Sequence, residues 1–353
     1  MSFTGEVSGT ILWGCEFEVV CGTLSIEDGI IVDLVEEDVS SDLLVAPSFV
    51  NSHTHVGDSV LKDPPITSLD ELVRPPDGLK HRILRSTPAD ELVRAMSVAL
   101  LDMVRTGTGA FVDFREGGVD GVRALGRALA YRAGLKGVIL GRPDGCGVSE
   151  VLSLSDGLGL SGVYDMYWDY LVEIASLMKY SGKIFGFHAG EKDGRDIGAA
   201  FDLEPDFVVH LTHGTIDDFK RAFEADCGVV VCPRSNLLTG VGMPDIEGML
   251  DSGLVVGVGT DNVMLNSVNM FAEMEFMSKI FLHDDRQVFK LCTLNGAKIF
   301  GLDDELGSIE DGKRACLMLL DRNSSNLRGV RDPIAGLVRR ARPDDIVQII
   351  GVE

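Results

Sequence analysis

Four short apolar runs in this chain each end on a side chain that can bind a metal ion or carry a proton. Residues 44–50, Leu-Val-Ala-Pro-Ser-Phe-Val, run into Asn51-Ser-His53-Thr-His55. Residues 183–187 run into His188-Ala-Gly-Glu191, residues 206–209 into His210-Leu-Thr-His213, and residues 254–260 into Asp261. The chain has only seven histidines, and five of them stand at these run ends, which scatter would rarely produce. In an extended segment the side chains at i and i+2 share a face, so His53 and His55 present two ring nitrogens to one point. The constraint is therefore on fold. The C-terminal ends of many strands have to meet on one side of the molecule.

The rest of the chain supplies such a fold. Apolar runs at 109–114, 135–140, 157–163 and 227–232 bring the strand-like segments to eight. Helical periodicity separates them over 88–105, 121–133, 164–180 and 271–281. This alternation predicts an α/β architecture, a (β/α)8 TIM barrel over residues 46–301. Residues 1–45 read as short alternating strands with a hairpin signal at Asp28-Gly29, and residues 302–353 look similar. The two ends are expected to pair as one small β-sandwich domain.

Composition excludes several functions. No apolar run approaches the roughly 18 residues of a membrane span, and the first residues lack the basic start of a secretory signal. Seven cysteines, an odd number without a Cys-x-x-Cys pair, point to a reducing cytoplasm rather than a disulfide framework. A formal net charge of −23 repels phosphate backbones, so nucleic acid is not an expected partner. The expected partner is a small molecule, and a homo-oligomer stays open.

In such barrels the reacting groups sit at the C-terminal strand ends, which here gathers His53, His55, His188, Glu191, His210 and Asp261. Three neutral imidazoles and one carboxylate, with a position left for water, suit one divalent ion, Zn2+ first and Fe2+ as the alternative. Such an ion lowers the pKa of bound water toward ~7 and makes hydroxide available. Glu191, three residues past His188, can shuttle the proton, while His210 and Asp261 can hold and orient the water.

The arrangement resembles the amidohydrolase superfamily, within it the mononuclear deaminase branch that acts on adenosine, cytosine, guanine and S-adenosylhomocysteine. His53-Thr-His55, His188-Ala-Gly-Glu191, Cys232-Pro-Arg-Ser-Asn236 and Gly259-Thr-Asp-Asn262 look like that family's strand-one, -five, -seven and -eight motifs. Gly307-Ser-Ile-Glu-Asp-Gly-Lys-Arg-Ala-Cys316 looks like its C-terminal segment, with Cys316 where the family has Asp. The resemblance implies metal ligands at His53, His55, His188 and Asp261 and a proton shuttle at Glu191. His210 and His213 compete for the strand-six role; counting back from Pro233-Arg-Ser-Asn236 favours His210. Lys136 begins its run rather than ending it, so no lysine is placed to bridge two metals.

The implied activity is hydrolysis of a non-peptide C–N bond. Metal-bound hydroxide attacks an amino-substituted carbon of a purine, pyrimidine or pterin-like ring, free or as nucleoside or nucleotide, and ammonia leaves. Cleavage of an N-alkyl, chloro or cyclic amide substrate is the alternative, and a catalytically silent binding module is a second. For the substrate, His81, Arg115, Arg142, Arg234 and Asn236 follow strand runs or sit in the loop after the first strand. They are expected to clamp an anionic substituent. The competing reading pairs the arginines with Glu116 and Asp144 to hold the rim.

Overall fold

The computed structural model describes residues 3–65 and 67–352. It contains two sheets. The larger is a curled nine-stranded parallel sheet. Its strands are β5 (Phe49–His55), β6 (Thr108–Arg115), β7 (Lys136–Gly141), β8 (Gly157–Leu160), β9 (Ile184–Ala189), β10 (Phe207–His210), β11 (Gly228–Val231), β12 (Val256–Val258) and β13 (Asp261–Asn262). Its order is β12-β11-β10-β9-β8-β7-β6-β5-β13, so from β5 to β12 successive strands are neighbours and helices connect them. A parallel sheet covered on both sides needs apolar side chains on both faces, which is why these strands read as continuous apolar runs. Val112, Phe114, Leu140, Phe207, Val209 and Val230 fill one face. Phe111, Ile139, Val208, Val229 and Val231 face the surrounding helices.

Backbone pairing does not close this sheet into a ring. The run expected as a single eighth strand splits into β12, which pairs with β11, and β13, which pairs with β5. Gly259 and Thr260 lie between them, and the physical reason for the break is local. A Cβ at Gly259 would stand 2.6 Å from the backbone nitrogen of His53. Thr260 gives its N–H to Asn51 Oδ1 at 3.0 Å, and Asn51 Nδ2 returns a hydrogen bond to Thr260 Oγ1 at 2.8 Å. A side chain takes the place of the ladder at that point.

The second sheet is six-stranded and mixed. It comprises β1 (Gly5–Trp13), β2 (Glu18–Glu27), β3 (Ile30–Glu36), β4 (Leu43–Pro47), β14 (Leu317–Asp321) and β15 (Ile346–Ile350), in the order β15-β14-β4-β1-β2-β3. The two chain ends do pair, but as one sheet and not as a sandwich. Val7, Ile11, Leu24, Val45, Leu317 and Leu319 form one apolar face. Leu12, Leu44, Ala46, Met318 and Leu320 point the other way into the main core, so the helical layer covers that face and no second sheet is needed. The β2–β3 turn is at Asp28 and Gly29, both left-handed (φ 49° and 79°), as a tight hairpin turn requires. The run at 44–50 belongs to both sheets: the chain crosses from β4 to β5 at Ser48. Among the described residues no helix is long and apolar enough to cross a membrane.

Candidate metal centre

The C-terminal end of β5 carries His53 and His55 on one face, both buried. β9 brings His188 beside them. The Nε2 atom of His188 lies 3.2 Å from that of His53 and 3.3 Å from that of His55. Asp261 Oδ1, from β13 on the other side of β5, is 3.4 Å from His53 Nε2 and 3.6 Å from His55 Nε2. The Phe114 ring packs edge-on against His53 and His188 at 4.7 and 5.0 Å between centroids.

These atoms fit one metal ion, and their hydrogen bonds show why. His55 Nδ1 is 3.1 Å from the Phe114 carbonyl and 2.8 Å from Glu116 Oε1, and His188 Nδ1 is 3.0 Å from the Leu160 carbonyl. All three partners can only accept, so the ring protons reside on Nδ1 and the Nε2 lone pairs are left free. Lone pairs converging at this distance repel each other unless a cation lies between them. Ligands about 2.1 Å from a tetrahedral ion sit about 3.4 Å apart, which matches the observed spacing.

The electrostatics agree. Burial pushes the imidazoles toward neutrality: His53 is lowered, His55 falls to about 3, and His188 lies well below the usual histidine value. Burial alone would raise Asp261, but the hydrogen bond and charge of His53, with His210 and His55, hold it well below the usual carboxylate range. Neutral nitrogens and an ionised carboxylate are the forms that bind a divalent cation.

A second group shares Asp261. His210 Nε2 faces Glu191 Oε1 at 3.6 Å. Asn236 Oδ1 accepts from His210 Nδ1 at 2.9 Å, and Asn236 Nδ2 is anchored on Thr212 Oγ1 at 2.7 Å, so the ring's other nitrogen is aimed at the cavity. Burial raises the Glu191 carboxyl and the charge of His210 opposes it. Ser235 donates to Asp261 Oδ2 at 2.6 Å, fixing the oxygen turned away from the histidines. Both His210 (φ 78°) and Asp261 (φ 60°) adopt the left-handed backbone region. That costs a non-glycine residue on the order of 1–3 kcal/mol and is characteristic of functional sites.

The centre opens into a cleft of about 220 Å³ lined by Lys80, Arg142, Tyr164, Glu191, His210 and Asp261 among others.

Residues 44–348 match the model of the Amidohydrolase family. The chain belongs to that family. Over 95% of both chains it is 38% identical to an uncharacterised protein of Methanocaldococcus jannaschii. It is 34% identical to a putative aminohydrolase of Methanothermobacter thermautotrophicus, covering 97% of this chain and 96% of the relative. A 5-methylthioadenosine/S-adenosylhomocysteine deaminase of Moorella thermoacetica is 27% identical, over 88% of this chain and 81% of its own length. Among solved structures, a zinc-bound adenosine deaminase from Xanthomonas campestris superposes with a TM-score of 0.82 at 18% identity, over 95% of this chain and 88% of that one. Atrazine chlorohydrolase from Arthrobacter aurescens, complexed with zinc, gives 0.82 at 17% identity, over 98% and 93%. At such identities the structural likeness concerns the fold.

Within this amidohydrolase the other sequence candidates divide. His210 lines the cleft, whereas His213 is exposed and turned to the Val241 carbonyl at 2.8 Å. Of the five substrate candidates only Arg142 reaches the cleft. His81 is bound to the Val73 carbonyl at 3.0 Å. Arg115 is packed beneath the site, 2.6 Å from Glu116 and 3.4 Å from Asp113. Arg234 turns to Glu273 at 3.4 Å, and Asn236 is committed to His210. Arg115 pairs as the rim reading expects, because its guanidinium is buried at the end of β6 with Glu116 as its nearest anion.

Three further residues shape the site, of which the sequence offered Glu116 only as a partner for the rim arginines. Lys80 is buried in the cleft wall, 2.9 Å from Glu116 Oε1. Glu116 itself touches the imidazole of His55. Asp58 ties the strand-one loop to the strand-eight loop by accepting from Asn262 Nδ2 (2.8 Å) and the Met264 N–H (2.9 Å). The adjacency of Glu116 to a strand end was visible in the sequence. The positions of Lys80 and Asp58, on a long connection, were not.

Proposed function

We propose that this protein is a metal-dependent aminohydrolase that replaces the exocyclic amine of a heterocycle by water, releasing ammonia. The substrate class is a purine, pyrimidine or pterin-like ring, free or as nucleoside or nucleotide. The relatives named as deaminases support this. The observation that carries it is the convergence of His53, His55, His188 and Asp261 beside the Glu191–His210 pair. We read β12 and β13 as one interrupted strand of a (β/α)8 barrel over 46–301, with 1–45 and 302–353 as the appended domain. The cytoplasm is the proposed compartment, consistent with seven unpaired cysteines.

His53, His55, His188 and Asp261 would hold a single divalent ion, zinc first and iron as the alternative. When bound, the ion supplies Lewis acidity, bringing the pKa of a water toward ~7. The chain's own groups do the rest. Glu191 takes one proton of the attacking water and delivers it to the ring nitrogen next to the attacked carbon. The second proton, from the added hydroxyl, then goes to the departing amine and leaves a ring carbonyl. The raised pKa of Glu191 suits both directions. His210, held by Asn236, and Asp261, held by Ser235, position the water and stabilise the oxygen as it joins the ring. One C–O bond forms and one C–N bond breaks, with water as the only co-reactant.

The test is a release screen on protein stripped of metal and reloaded with zinc, over amino-substituted purines, pyrimidines and pterins and their nucleosides and nucleotides. Ammonia appearing with the first equivalent of zinc is expected. Zinc binding without ammonia, but with chloride or alkylamine from the matching substrates, would move the assignment to another hydrolysed bond.

A further inference from the structure

We infer that the cleft is built for a heterocycle bearing an anionic oxygen group, carboxylate or phosphate, which Lys80 and Arg142 hold beside the reacting ring. The ring part rests on the aminohydrolase reading; the anion part rests on how charge is arranged in the cleft wall. Lys80 is 4% and Arg142 7% exposed, and both line the cleft. Buried cations are costly unless paired and hydrogen-bonded. Their shared carboxylate is Glu116, at 2.9 Å from Lys80 Nζ and 3.9 Å from Arg142 Nη1.

Glu116 is already engaged elsewhere. Its Oε2 accepts from Arg115 Nη2 at 2.6 Å, and its Oε1 also faces His55 Nδ1 at 2.8 Å. Asp113 approaches Arg115 at 3.4 Å and accepts from the Val56 N–H at 2.6 Å, and Asp58, buried in the field of Lys80, is taken up by Asn262 Nδ2 and the Met264 N–H. Among the described residues the three buried cations thus meet only two carboxylates, Glu116 and Asp113, within 4 Å. Arg142 is left over. Its one side-chain hydrogen bond among the described residues is a long one from Nε to the Gly159 carbonyl at 3.4 Å, and no acceptor serves its terminal nitrogens. Two further acids bear on it, but Asp144 is exposed and Asp165 pairs with Arg74 at 3.6 Å. A planar guanidinium with free terminal nitrogens and a point-charge ammonium together suit a carboxylate or phosphate. Arg115 cannot join them, because its guanidinium packs against Gly57, where a Cβ would stand 2.1 Å from Nη2.

The location narrows the chemistry. Glu116 bridges Lys80 to His55, so an anion on Lys80 lies one carboxylate and one imidazole away from the metal-binding nitrogens. The anionic group is therefore on the ring or on its first substituent.

The experiment measures calorimetric Kd values on the full-length, zinc-loaded protein carrying Glu191→Gln to prevent turnover. Two matched pairs serve as probes: 4-aminopyrimidine-5-carboxylate against its carboxamide, and adenosine 5′-monophosphate against adenosine. A preference of ten-fold or more for the charged member of at least one pair is expected, and the preferred pair tells carboxylate from phosphate. Arg142→Met should remove that preference while leaving the neutral member's Kd within two-fold, and Lys80→Met should do the same. Less than ten-fold in both pairs overturns the inference, as does a preference that survives Arg142→Met. If Lys80→Met fails to fold, Arg142→Met alone decides, since it breaks no close ion pair. Ammonia released equally from charged and neutral members by the wild type would keep the aminohydrolase reading and overturn this one. Selective anion binding without ammonia from any probe would do the reverse.

Discussion

Glu116→Gln tests whether the carboxylate behind His55 holds the metal ligand or only neutralises its cationic neighbours. Glu116 is 4% exposed and receives Arg115 at 2.6 Å, His55 Nδ1 at 2.8 Å and Lys80 at 2.9 Å. Glutamine keeps one acceptor oxygen and turns an NH2 donor toward at least one of these donors. Two buried cations then lose their anion, which costs about 3–5 kcal/mol when one partner of a buried pair is removed. For a chain of this length, that lowers Tm by about 4–7 °C, at about 1.3 °C per kcal/mol. Independently, His55 Nδ1 loses the carboxylate beside it and keeps only the Phe114 carbonyl, and zinc affinity should fall ~10–100-fold. The assays are thermal unfolding of the zinc-free protein and zinc Kd by chelator competition. Burial would raise Glu116, but Lys80, His55 and Arg115 hold it well below the usual carboxylate range. Its stabilising effect is thus complete above the unfolded pKa of about 4.3 and is lost only as pH falls through the depressed folded value. The variant's Tm deficit should therefore be as large at pH 5 as at pH 7. A deficit with zinc affinity unchanged within two-fold would refute the role in orienting His55. No deficit at all would refute the charge argument.

Other outcomes follow from the same geometry. His210→Asn should lower the rate of ammonia release by at least ~100-fold, the low end for lost acid–base or orienting groups, whereas His213→Asn should stay within two-fold; steady-state kinetics on both variants checks the assignment. Gly259→Ala places a methyl 2.6–2.7 Å from the backbone and Cβ of His53. It should cost ~1–3 kcal/mol of stability and reduce bound zinc per chain, read by urea unfolding and elemental analysis. Glu273 is completely buried, and burial pushes its carboxyl up to about 8 despite Arg234. The folded state therefore holds this proton longer than the unfolded chain, and the wild type loses stability as pH rises from about 4.3 to about 8. Glu273→Gln mimics the protonated form, so its Tm relative to wild type should climb across that interval and level off above it.

The parallel sheet was legible because strands covered on both faces must be apolar throughout, and 109–114, 135–140 and 206–209 all fall on observed strands. The same rule concealed the change of sheet at Ser48, since β4 and β5 are both buried runs and only Ser48 separates them. It also concealed the break at Gly259-Thr260, which depends on how closely His53 approaches and on a side chain 209 positions away. The converging nitrogens of His53, His55 and His188 could be read because strand ends place them without help from loops. The substrate candidates could not. The direction of a loop arginine is set by its nearest anion: Glu116 draws Arg115 beneath the floor, Glu273 draws Arg234 away, and Lys80 reaches the cleft from a helix whose docking no local pattern reveals.

The central claim is that Glu191 moves the proton while His53, His55, His188 and Asp261 hold the ion. The most direct measurement compares wild type with Glu191→Gln for zinc content and for ammonia release from the best substrate of the screen. The account predicts about one zinc per chain in both proteins, since Glu191 is not in the ligand set, and a loss of release of at least ~100-fold in the variant. A variant that keeps its zinc and still releases ammonia at the wild-type rate would contradict it.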